Sequence, residues 1–160
     1  MRGSGLDFSV RAATEGDRRP LAELLASVAE ERDGIAAEPP VDVIRLAASW
    51  ELDGTLVAVA DDVIVGEVRV HPSWMGFGEI GMMVADGWRG RGVGTALVKA
   101  AAEWARGRGL HKLALTVFPH NQAAIALYLK CGFTQEGRLV QHVRRSDGAL
   151  WDLIEMGLIL

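Results

Sequence analysis

Cysteine is almost missing from this chain: Cys131 is the single one in 160 residues, so no internal disulfide can form. With no apolar signal-peptide core at the N-terminus, a reducing cytoplasm is the expected setting. Nor does any stretch approach the roughly 20 apolar residues of a membrane-spanning helix. A basic excess is lacking too: 17 Lys and Arg stand against 21 Asp and Glu, a net charge of −4. Nucleic-acid platforms need clustered positive charge, so neither nucleic acid nor membrane is an expected partner. The 4 histidines and the lone cysteine show no ligand spacing, and no metal site is expected. Aromatic residues make up 6%, and Tyr128 is the only tyrosine.

What is present is enough for one folded unit. A chain of about 150 residues buries roughly 70% of its unfolded surface, and 49% of this one is hydrophobic. No repeat, linker or low-complexity tract divides it, so 6–160 is expected to be a single domain, with 1–5 a leader outside it. Phe8-Ser9-Val10-Arg11 alternates like a short strand, and Asp17 to Glu31 carries Leu21, Leu24, Leu25 and Val28 at helical spacing. A second helix is expected from Val41 to about Trp50, burying Val43 or Ile44, Leu46 or Ala47, and Trp50. Thr55–Ala60 and Val63–Val70 are β-branched runs joined by Asp61-Asp62, a hairpin signature. Glu79–Val84 reads as a strand, Gly92–Arg108 as an amphipathic helix, Leu113–Phe118 as a strand and Asn121–Cys131 as a helix closed by Gly132. Thr134–Val143 and Leu150–Leu158 form a last strand pair. The order implies an α/β (α+β) fold with a mixed central sheet of about seven strands and flanking helices.

Glycine is in surplus, 19 of 160 residues, and 7 of them fall between Gly76 and Gly94. A glycine loop between a strand and a helix start is an anion site: free N–H groups and the helix dipole face the ligand, and Arg89 and Arg91 add charge. A Walker-type loop fails because Val93 stands where lysine is required. A dinucleotide fingerprint fails because Thr95 takes its third glycine and no second strand follows with an acidic end. Asn121 and Tyr128, seven residues apart, fall on nearly one face of the next helix.

Arg89-Gly90-Arg91-Gly92-Val93-Gly94 resembles the Arg/Gln-x-x-Gly-x-Gly/Ala loop of the GCN5-related N-acetyltransferase (GNAT) superfamily. Asn121 through Tyr128 to Gly132-Phe133 is similar to its second recurrent block. The motif match runs from about Glu79 to Phe133, and the order of elements extends it over nearly the whole chain. Gly137-Arg138, Asp147-Gly148, Asp152 and Met156-Gly157 further resemble members acting on small molecules or amino acids.

The resemblance implies acetyl-CoA as cosubstrate in a V-shaped opening between Glu79–Val84 and Leu113–Phe118. Met82, Met83 and Val84 would pair with the pantetheine, and Arg89, Gly90, Arg91, Gly92, Val93, Gly94 and Thr95 would cradle the pyrophosphate. Asn121 and Tyr128 would complete the cosubstrate site. Tyr128 is the expected acid for the leaving thiolate and Glu79 the expected base, on the strand face of Gly81 and Met83; Gly81 is expected to mark a bulge or a close approach. Cys131 is not expected to act as a nucleophile. The activity implied is direct acetyl transfer to a primary amine of a small molecule, an amino acid or an amine-bearing antibiotic. The alternatives are a protein N-terminal or lysine acetyltransferase and a non-catalytic CoA sensor. Members modifying ribosomal-protein N-termini often carry glutamate where this chain has Thr116. Glu30, Glu31 and Asp33 either attract a cationic amine or form a solvated helix end, and Arg144-Arg145 reads as a solvated strand end. Trp74, Met75 and Phe77 are candidates for a homodimer contact, a substrate wall or core.

Overall fold

The computed structural model describes residues 7–160, and the leader lies outside them. Along the chain run β1 (Ser9–Ala12), a short 3-10 turn (Glu15–Asp17), α1 (Arg18–Ala29), α2 (Val43–Ser49), β2 (Thr55–Ala60), β3 (Val63–Pro72) and β4 (Phe77–Val84). Then come α3 (Val93–Gly107), β5 (Lys112–Val117), α4 (Gln122–Lys130), β6 (Thr134–Arg144) and β7 (Leu150–Ile159). The seven strands form one sheet in the order β1-β2-β3-β4-β5-β7-β6. Every neighbouring pair is antiparallel except β4 and β5, which are parallel.

Alternation along the strands sends side chains to two helical layers. Leu21, Leu24, Leu25 and Val28 of α1 pack with Trp50, Val57, Ile64 and Met83 on one face. Val93, Leu97, Ala101 and Ala105 of α3 pack with Val68, Val70, Ile80 and Leu113 on the other. A Cβ at Gly66 on β3 would lie 2.9 Å from Val93 Cγ1 and 3.0 Å from Leu97 Cδ1, so the first turns of α3 sit directly on the sheet. Asp61 and Asp62 both adopt positive φ, 47° and 63°, as a two-residue hairpin turn between right-twisted strands requires.

One expectation needs correction, at Arg145, and several open alternatives are narrowed. Gly81 marks no bulge, because β3 and β4 pair in unbroken register from Gly66↔Val84 to Pro72↔Gly78. It marks no close approach within the protein either, since a Cβ there would meet nothing within 4 Å. Arg145 is not a solvated strand end. It is buried, 4% exposed, because Trp151 and Phe118 stack on its guanidinium while it donates to the carbonyls of Ala36 and Arg32. On α2, Ile44 is exposed and Val43 turns inward; Trp74 and Met75 are exposed rather than part of the core.

Asp17 ties the first strand to the first helix. It accepts from Arg11 at 2.6 and 3.0 Å and from the Thr14 main-chain N–H at 2.7 Å. The Arg11 bond, against the cost of burial, holds its carboxyl at about 2, below the ordinary 3.8. A depressed carboxyl stabilises the fold above pH 3.8 and loses that contribution as pH falls toward 2. Asp17→Asn should therefore unfold at lower urea than the wild type at pH 6, by about 1 to 2 kcal/mol, with the difference vanishing near pH 2.

Candidate active site

β4 and β5 stay paired only from Phe77↔Lys112 to Glu79↔Ala114. Beyond that point they separate, and the β5-facing edge of β4 from Gly81 to Val84 has no strand partner. The opening is a pocket of about 1100 Å³. Its lining includes Met82, Met83 and Val84.

At one end stands the glycine loop. Gly87, Gly90 and Gly92 have φ of 86°, 74° and 87°, a region that side chains other than glycine enter only at a cost. Gly92 is the N-cap of α3 and offers no capping side chain. The first intrahelical bond runs from Ala96 N–H to Gly92 C=O, leaving the N–H groups of Val93, Gly94 and Thr95 free for an anion. Arg89, Gly90, Gly92, Gly94 and Thr95 line the pocket. Gly94 also makes room for Leu127 of α4, whose Cδ2 would be 2.6 Å from a Cβ there. Val93 can offer only main chain, because its side chain is in the core.

The two arginines are engaged elsewhere. Arg89 donates to both carboxylate oxygens of Glu31, at 2.5 and 2.8 Å, and to the Val84 carbonyl at 3.0 Å. That ion pair lowers the Glu31 carboxyl and raises the Arg89 guanidinium. Arg91 stacks on Trp88 and donates to Asp7 at 3.2 Å. Charge at the loop is thus tied to neighbouring carboxylates, and the main-chain N–H groups are the free donors.

Asn121 caps α4, its side chain accepting from the Ala124 N–H at 3.2 Å, and it lines the pocket with Tyr128. Tyr128 is buried against Phe133, and burial pushes its hydroxyl up to about 12, so it carries its proton at neutral pH. Glu79 is exposed in the pocket at the closed end of the V. Cys131 borders a smaller cavity lined by α3 residues and the end of α4, and burial raises its thiol. Thr116 also lines the main pocket.

Sequence reasoning missed two features. The first is the roof. The segment after α1 passes over the pocket, held by Arg145, by the Ser146 main chain and hydroxyl donating to Glu38, and by His120 Nε2 at 2.7 Å from the Asp33 carbonyl. The second is Glu67 on β3, completely buried beneath the pocket floor. Burial pushes its carboxyl up to about 7 although the Arg69 guanidinium pulls the other way. A charged residue inside the run Val63–Val70 was the available signal. Among the described residues no three His, Cys, Asp or Glu side chains converge as a metal site would need, and no helix is long and apolar enough to cross a membrane.

Residues 21–133 match the model of the acetyltransferase (GNAT) family. The chain belongs to this family. It is 29% identical over 166 residues to the L-methionine sulfoximine/L-methionine sulfone acetyltransferase of Pseudomonas aeruginosa, covering 97% of this chain and 96% of that one. With the aminoglycoside N(6')-acetyltransferase type 1 of Klebsiella aerogenes it shares 32% over 114 residues, covering 69% and 70%. Among solved structures, the ribosomal-protein-alanine N-acetyltransferase of Brucella melitensis superposes with a TM-score of 0.84 at 30% identity, covering 95% of this chain and 99% of that one. The fold, with its splayed parallel pair, is that of a GNAT acetyltransferase.

In this acetyltransferase Glu67 sets a pH dependence of its own. A carboxyl raised by burial holds its proton in the native state while the unfolded chain has lost it, so stability falls as pH rises from 4.5 to about 7. Urea midpoints measured across that window should decline less in Glu67→Gln than in the wild type.

Proposed function

We propose that the chain transfers an acetyl group from acetyl-CoA to a primary amine of a small molecule, an amino acid or an amine-bearing antibiotic. The observation that carries this is the separation of β4 from β5 beside a glycine loop with free main-chain N–H groups. An extended chain of amides can pair with the open β4 edge while a phosphate group rests on the start of α3. The names of the Pseudomonas and Klebsiella relatives support a small acceptor, and Thr116 does not supply the carboxylate often found there in enzymes modifying ribosomal proteins. A cytoplasmic homodimer using the exposed Trp74 and Met75 is the accompanying proposal.

The cosubstrate supplies acetyl activated as a thioester. Around it the protein needs three things: a donor for the negative charge gathering on the carbonyl oxygen, a place for the ammonium proton and a proton for the thiolate. A main-chain N–H near Met83 meets the first need, and one such donor is worth about 3 kcal/mol. Glu79 takes the proton the ammonium must lose before its lone pair can form the new C–N bond. Tyr128, protonated because it is buried, gives its proton to the sulfur as the C–S bond breaks, and the second proton that the acylated nitrogen sheds returns to the phenolate.

Release of free thiol on mixing the protein with acetyl-CoA and amino acids, polyamines, aminoglycosides or peptides tests the whole proposal. Cosubstrate binding with no thiol release from any of them would overturn it. Tyr128→Phe should lower kcat by about 100-fold, with the Kd for acetyl-CoA within about twofold of wild type; unchanged turnover would remove Tyr128 as the acid. In Glu79→Gln the acidic limb of the kcat/KM profile should shift or disappear, because a base fails where it is protonated. An unchanged limb would assign the base to another group.

A further inference from the structure

Beneath the acceptor side of the pocket lies a group of polar side chains for which acetyl transfer, as outlined above, has no use. Glu67 and Arg69 on β3 point to the same sheet face as Met83 and Gly81, their partners on β4. Arg69 Nε lies 2.6 Å from Glu67 Oε1, and its guanidinium stacks on Trp50 at 4.5 Å. Glu67 is wholly enclosed and Trp50 nearly so, whereas the Arg69 side chain keeps 28% of its surface exposed, in the pocket.

We propose that Arg69 is the specificity-determining residue of the acceptor site and binds the carboxylate of an α-amino acid through its two terminal nitrogens. This rests on the small amine acceptor proposed above and narrows it to amines that carry a carboxylate.

Three observations carry the assignment. The first is orientation. An arginine recruited only to neutralise Glu67 would turn its two-nitrogen fork to that carboxyl; here the nitrogen that approaches Glu67 is the inner Nε, 2.6 Å from Oε1 but not aligned for a hydrogen bond, so Nε and both Glu67 oxygens are left without hydrogen-bond partners. The second is rigidity. The Glu67 carboxyl 2.6 Å from Nε and an indole against the plane confine the guanidinium before any ligand arrives, so little side-chain entropy remains to be lost on binding. The third is space. Gly81, directly across from Arg69, packs against nothing and needs no special backbone, so its missing side chain serves only to open the floor between Arg69 and the β4 edge. Met83 is two residues further along β4, about 7 Å of strand, a step that an arginine side chain and the single carbon between ammonium and carboxylate together span. Polyamines and aminoglycosides leave the fork unpaired.

The test compares each standard L-amino acid with its carboxamide, by thiol release and by calorimetric titration into the protein saturated with CoA, a readout that needs no turnover. The wild type should favour the acid over the amide by about 100-fold in kcat/KM. Arg69→Gln should bring that ratio close to one, and Arg69→Lys, a point charge without a fork, to an intermediate value. Because Arg69→Gln removes the neighbour of a buried carboxyl, the double variant Glu67→Gln/Arg69→Gln, which replaces both members of the pair, is measured beside it with the same expectation. Amine turnover with no preference for the acid, or a preference that survives in both neutral variants, would overturn the role of Arg69 and leave acetyl transfer standing. Calorimetric binding of acids over amides that the variants lose, with no turnover, would support Arg69 and overturn acetyl transfer. Neither binding nor turnover of any acid would overturn the role of Arg69.

Discussion

The structure depends on one parallel strand pair that is not allowed to continue. After Glu79↔Ala114 the hydrogen-bond ladder between β4 and β5 stops, although both strands run on to Val84 and Val117. Main-chain N–H and C=O groups left open in a sheltered cleft are costly unless something pairs with them. The sheet tolerates the gap because each half is secured on its outer side, β4 by the long antiparallel register with β3 and β5 by that with β7. The two halves then act as the walls of a groove whose inner edge can take an extended partner. The helix starting at Gly92 and the helix carrying Tyr128 lie beside this gap, so the fold and the site share one origin.

Most of the fold was legible in the sequence because its signals are local. Alternation marked the strands, helical spacing marked α1 and α3, Asp61-Asp62 marked the hairpin and Gly132 marked the end of α4. The element order agrees throughout, with boundaries differing by a few residues. The glycine-loop end of the pocket was also legible, since a glycine loop and the Asn121–Tyr128 spacing are short-range patterns. The floor and roof were not. Arg145 reaches back 109 residues to Ala36 and 113 to Arg32, and nothing near Arg145 in the chain announces those partners. Glu67 looked like one charge among β-branched neighbours; its burial comes from Trp50 and Met83, brought together by the sheet and α1. At Gly81 only the β3–β4 register shows that the strand does not bulge, and the empty space beside it leaves the other alternative, a close approach, standing.

The two sides of the pocket also differ in how charge is handled. At the glycine loop the arginine side chains are paired with Glu31 and Asp7, and main-chain groups are left free. On the floor the reverse holds: the Glu67 carboxyl is enclosed, and the arginine beside it is partly exposed in the pocket. The roof is fixed by Arg145, whose charge is spread over two carbonyls and two aromatic faces. Arg89, Arg91, Arg69 and Arg145 are each held by defined neighbours, which gives this part of the protein a fixed electrostatic pattern before any ligand enters.

The contact at Gly66 has a metric consequence. Because Val93 and Leu97 rest on a residue without a side chain, the start of α3 cannot approach the sheet more closely, and a Cβ at that position would push it away. Gly66 is also the register partner of Val84, where the open strand edge ends. The distance from the start of α3 to the free edge is therefore set by a hard contact. The pocket is in effect a gauge: a molecule resting one end on the helix start would present its other end to Tyr128 only if its arm had the matching length.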